Sequence, residues 1–222
     1  ATLATNVPNS SIDLVISAVA APRWDGQAGG FWDIGLTANW IELSTGLPAF
    51  YQDGQAVLFN DAAQGTTTVN LVANVQPASV TVNNTNLNYT LVGTGKIGGA
   101  GGLTKRGTGT FTIANSAAND YTGITTIAGG TLVVTNLANG GQPSAIGAAS
   151  AAPENLVLAG GTLSYAGAPA AANRGYSVQA ARSAIDAQSN LSLGGNVIAG
   201  PGTSFVKTGP ATLTYTGTGV NE

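Results

Sequence analysis

Short runs in which apolar and polar side chains alternate recur along the chain. Val69, Leu71, Ala73 and Val75 alternate with Asn70, Val72 and Asn74, and Val80 and Val82 with Ser79, Thr81 and Asn83. Phe111 and Ile113 alternate with Thr110 and Thr112, and Leu191 and Leu193 flank Ser192. A period of two, rich in β-branched residues and bounded by Gly and Asn, predicts strands that bury one face. Helix signals are few. The Ala-rich stretch from Ala166 to Gln188 has helical composition. Pro169, Gly175 and the alternating Tyr176, Val178 and Ala180 oppose it, so strand or loop is expected there.

Two echoes turn these strands into an architecture. Leu103-Thr104-Lys105-Arg106-Gly107-Thr108-Gly109-Thr110-Phe111-Thr112-Ile113 returns as Phe205-Val206-Lys207-Thr208-Gly209-Pro210-Ala211-Thr212-Leu213-Thr214-Tyr215. The shared frame is an apolar residue, a Lys, a Gly, then Thr-apolar-Thr-apolar. Ile127-Ala128-Gly129-Gly130-Thr131-Leu132 returns 31 residues on as Leu158-Ala159-Gly160-Gly161-Thr162-Leu163. Self-similar segments of this length, each too small to bury its own apolar side chains, predict a solenoid in which each turn is covered by its neighbours. Like residues can then stack in ladders between strands.

Composition narrows the function classes. Charged residues make up 8% of the 222 positions, against roughly 25% in an average domain, while 43% are apolar, enough for a core. The surface is therefore expected to be neutral and rich in hydroxyl and amide groups. Net charge is −3, and only Lys105-Arg106 sets two cations side by side. Nucleic acid is an unexpected partner, since a phosphate backbone needs clustered cations. No apolar run approaches the ~20 residues that cross a bilayer; the segment Leu14–Ala21 is too short, so no membrane insertion by this segment is expected. The chain has no His, Cys or Met, and without a starting Met it reads as a mature or excised piece. Without His or Cys there is no Ser-His-Asp triad, thiol nucleophile or histidine zinc site, and neither cofactor nor catalytic residue is assigned.

The candidate ligand contacts are aromatic. Trp24, Trp32 and Trp40 lie at equal spacing, with Tyr51 following. They fit a platform on which sugar rings stack, and equally an N-terminal cap or core, because Trp buries a large apolar area. Tyr121 and Tyr165 are candidates for exposure, whereas Phe111, Phe205 and Tyr215 sit on alternating strands as core or ladder residues. A glycosidase needs two carboxylates roughly 5–10 Å apart, and nothing in the spacing of the ten present selects a pair. Asp53, Asn60 and Asp61, or Asp25 and Asp33, are the best local oxygen groups for calcium, but neither matches a calcium loop and no metal site is assigned. Gly93-Thr94-Gly95-Lys96-Ile97-Gly98 satisfies a dinucleotide fingerprint literally, but a strand follows where that fingerprint needs a helix.

The segments Gly102–Ile113, Asn119-Asp120-Tyr121-Thr122-Gly123-Ile124-Thr125-Thr126-Ile127 and Gly130-Thr131-Leu132-Val133-Val134 together resemble the autotransporter-associated β-strand repeat, also called the passenger-associated transport repeat. A truncated second copy begins near Phe205. The Trp-rich stretch through Asp61 resembles the leader that often precedes such repeats. The resemblance implies a right-handed parallel β-helix of an exported bacterial protein, extracellular or on the cell surface, and implies no activity. It divides the chain into residues 1–92, a β-rich cap or first solenoid turns, and residues 93–222, the β-helix with its repeats. The function expected is a non-catalytic structural stalk or surface adhesion scaffold beside other domains of a larger chain. The alternative is a carbohydrate-binding module of the kind appended to a glycoside hydrolase, with polysaccharide or cell-surface glycan as its partner.

Overall fold

The computed structural model describes residues 2–6, 11–15 and 21–221. Thr2–Asn6 and Ser11–Val15 form an antiparallel pair. From Pro22 onward the chain winds as a β-solenoid of about seven turns. With strands stacked roughly 4.8 Å apart, that is a rod about 30–35 Å long. The described residues hold no α-helix, only the 3-10 turn Pro153–Asn155. The Ala-rich stretch is extended, as expected: Ala170–Ala172, Tyr176–Val178 and Ser183–Ala187 are strands.

Each turn supplies one strand to each of two long parallel sheets. The first sheet stacks Pro22–Trp24, Ala56–Asn60, Ser79–Asn83, Gly102–Arg106, Thr125–Ile127, Leu156–Leu158, Tyr176–Val178, Val197–Ala199 and Gly219–Asn221. The second stacks Phe31–Trp32, Thr68–Leu71, Tyr89–Gly93, Thr110–Ile113, Thr131–Val134, Thr162–Tyr165, Ser183–Ala187 and Phe205–Thr208. Between the second sheet and the next turn lies a third face. It is only an isolated bridge, Val75 with Ile97, in the early turns. It becomes a sheet of Ala170–Ala172, Leu191–Leu193 and Leu213–Tyr215 in the late ones.

Register follows the alternation read from the sequence. Val57 lies beside Val80, and Val80 beside Leu103, each 23 residues on. These inward side chains make one continuous column of core, while Thr81, Thr104 and Thr126 form a hydroxyl ladder in the alternate positions. The 31-residue echo is a single turn: Ile127 pairs with Leu158 and Thr131 with Thr162. Its extra length is an excursion through residues 136–155. The other echo behaves differently. Leu103–Lys105 lies in the first sheet and Phe111 in the second, whereas Phe205–Lys207 lies in the second and Leu213–Tyr215 in the third. The same motif has moved round the rod by one face.

The boundary expected at 92/93 falls inside the strand Tyr89–Gly93, and both sheets run through it. Residues 22–92 provide the first turns and also a cap. The strand Trp40–Glu42 pairs antiparallel with Pro22–Trp24, and Pro48–Ala49 pairs antiparallel with it in turn. Pro48 lacks an N–H, so the outermost strand offers a broken row of donors and discourages another strand from adding.

The burial of four aromatic residues differs from that expected. Tyr121 and Tyr165 are buried, not exposed. Phe205 and Tyr215 are exposed, because they lie on the last coil and only the short strand Gly219–Asn221 follows it among the described residues.

Candidate functional site

The cap end holds the aromatic residues first considered as a sugar platform. Trp24, Trp32, Trp40 and Tyr51 are fully buried. The Trp24 and Trp40 rings meet edge to face at 5.1 Å, as do Trp32 and Tyr51 at 5.4 Å. Phe59 touches all three indoles, and the stack continues through Tyr89 and Phe111 into the rod. Edge-to-face contact sets the positive rim of one ring against the negative face of the next. The Trp24 indole donates to the Thr66 carbonyl at 2.8 Å, and the Tyr51 hydroxyl to Asp53 at 2.9 Å. A ring with no solvent contact cannot stack on a sugar, so the four residues are a plug that closes the solenoid and not a binding face. Sequence could not separate the two readings, because spacing along the chain does not say which way a ring points.

The carboxylates weighed as calcium ligands are spent on donors within the chain, mostly backbone amides. Asp61 accepts the amides of Thr85, Asn86 and Leu87, which holds its carboxyl below the usual range, the Leu87 amide contributing most. Asp33 accepts the amides of Leu36 and Thr37 and the Thr37 hydroxyl. Asp53 accepts the Gln76 amide and Asp25 pairs with Arg23. Among the described residues no three His, Cys, Asp or Glu converge to hold a metal ion.

Two buried cations escaped the sequence reading. Lys105 has no solvent contact, and its ammonium donates to the carbonyls of Arg106, Gly107 and Gly129 at 2.6, 3.2 and 3.4 Å. Burial pushes its pKa down to about 8, and the Asp61 carboxylate partly opposes the shift. Arg174 is buried beneath the 136–155 excursion. Its guanidinium donates to the carbonyls of Ala138, Gln142, Gly147 and Ala149 and to the Ser144 hydroxyl. The fork geometry of Arg suits this divergent set of acceptors. The alternation of Lys105 with Leu103 was the available signal for the first. Nothing near Arg174 in sequence announced the second.

An open cavity of about 390 Å³ lies on the third face of the early turns. Asn74 to Gln76, Lys96 to Gly99 and Asp120 to Thr122 cross it on successive coils. Backbone bonds tie these segments together: Val75 to Lys96 at 2.9 Å, Asp120 to Ile97 at 3.0 Å and Thr122 to Gly99 at 2.9 Å. Lys96 and Asp120 form an ion pair at its mouth, each side chain about a third exposed. Gly98 lets the carboxylate lie close, since a Cβ there would stand 2.7 Å from Asp120 Oδ1. A second, shallower groove follows the late third face past Ala171, Ser192 and Thr214.

Residues 103–134 match the family described as Passenger-associated-transport-repeat. The chain carries an autotransporter-associated repeat. Over 120 residues, 53% of its length, it is 44% identical to the adhesin BmaC autotransporter of Brucella suis biovar 1 (strain 1330). The chain spans 3% of that adhesin's length. No solved structure matches it. The repeat's signature residues can now be given physical work. Leu103, Lys105, Phe111, Ile113, Ile127, Leu132 and Val134 point into the core. Asn119 accepts the Ile97 amide at 2.9 Å and donates to the Ala145 carbonyl at 3.2 Å, joining one coil to the excursion on the next. The Tyr121 hydroxyl meets Thr125 Oγ1 at 2.8 Å in the interior. Gly123 lies against the Gly101 backbone, where a Cβ would come within 2.4 Å of a carbonyl oxygen. The repeat is a stacking unit.

Proposed function

We propose that this chain is a non-catalytic segment of an exported bacterial surface protein, a rigid spacer and adhesion scaffold that displays neighbouring parts of a larger chain. The carrying observation is that the repeat's signature side chains are turned inward and used to hold coil on coil. Its likeness to an adhesin autotransporter supports a place outside the cell or on its surface. A solenoid suits the task because each turn contacts only its neighbours, so length can change without redesign.

Excising one turn tests this. Deleting residues 80–102 joins Ser79 to Leu103, which then takes the place of Val80 in the register. The shortened chain is expected to fold cooperatively with its β circular dichroism intact. An unfolded or aggregated product would show that the turns are not interchangeable structural units. Release of reducing ends from a polysaccharide panel by the full chain would overturn the non-catalytic reading.

A further inference from the structure

The early third-face cavity has features that stacking alone does not require. Backbone at Gly98 and Gly99 crosses it, with the Asp120 carboxylate lying against Gly98 and the Gln76 side chain against Gly99. Its rim carries two amides (Asn74 and Gln76), a hydroxyl (Thr122) and the Lys96–Asp120 pair. Lys96 occupies Asp120 Oδ2, and the amide side chains of Asn74 and Gln76 bond to no other described residue. The cavity therefore presents donors and acceptors on three sides with no net charge. Its size is within the roughly 300–1,000 Å³ of small-molecule sites.

We infer that this cavity is a subsite for a neutral hexopyranose, held through a vicinal diol by Asp120 and Lys96 and flanked by Asn74, Gln76 and Thr122. A carboxylate beside an ammonium matches two adjacent hydroxyls. One hydroxyl donates to the Asp120 oxygen and accepts from the Lys96 ammonium, and its neighbour donates to the same carboxylate. The amides can donate and accept at once, which suits further hydroxyls. Pairing cancels the charge that would draw an ionic ligand. No aromatic residue lines the cavity, so weak binding, roughly millimolar, is expected for one sugar, with gain when several rods act together. The inference rests on the adhesive reading above, but the turn-excision experiment does not depend on it.

The test uses the purified chain, labelled with nitrogen-15, titrated with methyl α-mannopyranoside, methyl β-galactopyranoside, the methyl 3-deoxy analogue of each, which has no two adjacent hydroxyls, and glucuronate. A linear mannotriose distinguishes an isolated monosaccharide subsite from one within a longer glycan groove. Amide shifts at Lys96–Gly99 and Asp120–Thr122 are expected with at least one neutral glycoside, and at least tenfold weaker binding for its 3-deoxy analogue. Asn74→Ala and Thr122→Val, both at solvent-accessible positions, are expected to weaken binding while leaving the amide spectrum otherwise unchanged. Ser192→Val, in the late groove, should leave binding unchanged. Absence of shifts with every neutral sugar, tighter binding of glucuronate, or shifts unaffected by Asn74→Ala and Thr122→Val would each overturn the inference.

Discussion

Lys105 and Lys207 hold the same place in two copies of one motif and make the same bond, each ammonium donating to the carbonyl of the Gly two residues ahead, at 3.2 and 2.7 Å. They differ in what lies on top of them. Lys105 is sealed by the next coil, whose Gly129 supplies a further acceptor, whereas Lys207 on the last coil is exposed. The Lys is thus a corner clamp on the carbonyls of a tight Gly turn.

Stability is expected to rise with pH between about 8 and 10 because of Lys105. Below pH 8 the residue is charged in both states, and the folded state bears the full desolvation cost. Between its folded value of about 8 and the ordinary 10.5, the folded chain has lost the proton and the unfolded chain still binds it. Where the unfolded state binds more protons, unfolding free energy increases with pH. Above pH 10 the trend reverses, since burial raises Tyr51, Tyr89 and Tyr121 and only the unfolded chain ionises there. Urea midpoints between pH 7 and 10.5 should therefore pass through a maximum. In Lys105→Met the rise from pH 8 should vanish, and a rise that persists would assign it to another group.

Removing a ring from the plug should be costly. Trp40 touches Trp24, Trp32, Tyr51 and Phe59. Trp40→Ala is expected to lose about 3–5 kcal/mol, read from urea denaturation, whereas Phe50→Ala at the exposed cap surface should change stability by less than about 0.5 kcal/mol. Indole emission of the native chain should be blue-shifted and resistant to acrylamide quenching. Emission like that of free Trp would contradict a buried plug.

Arg174 should govern the excursion and little else. Arg174→Ala takes the guanidinium from the Ala138 and Gln142 carbonyls and one of two donors from those of Gly147 and Ala149, at a cost of at least about 2 kcal/mol. Hydrogen exchange should accelerate across residues 138–149 while the Ser79–Asn83 strand stays protected. Lys at this position has one compact ammonium and should not restore protection. Uniform acceleration along the rod would show that the loop is not an independent unit.

Two glycines with the same backbone twist should answer differently to Ala. Gly107 has φ +69° and a Cβ there would stand 2.1 Å from the Asn84 carbonyl oxygen on the preceding coil. Gly46 has φ +71° and nothing within 4 Å. The left-handed conformation costs an Ala of order 1 kcal/mol at either place. The further loss in Gly107→Ala, seen as a lower thermal midpoint than Gly46→Ala, measures coil-on-coil contact. Equal midpoints would mean that the coils can part at no cost.

Much of the rod was legible in sequence because its information is local. Alternation tells which side of a strand is buried, so Val80, Val82, Phe111 and Ile113 could be placed inward without knowing their partners. Echoes of similar length implied stacked turns, since segments too small to bury themselves must be covered by copies of themselves. What the sequence left open depends on contacts between distant residues. Whether three Trp face sugar or one another is decided by Phe59 and Tyr51 closing over them. The face on which a motif lies is decided by how many residues the preceding turns consume, so Leu103 and Phe205 share a frame and not a sheet. Arg174 finds its acceptors some 25 to 36 positions back, and the polar cavity is assembled from three coils. Periodicity is a property of neighbours along the chain, whereas burial, pairing and a site are properties of neighbours in space, and those exist only once the coils have stacked.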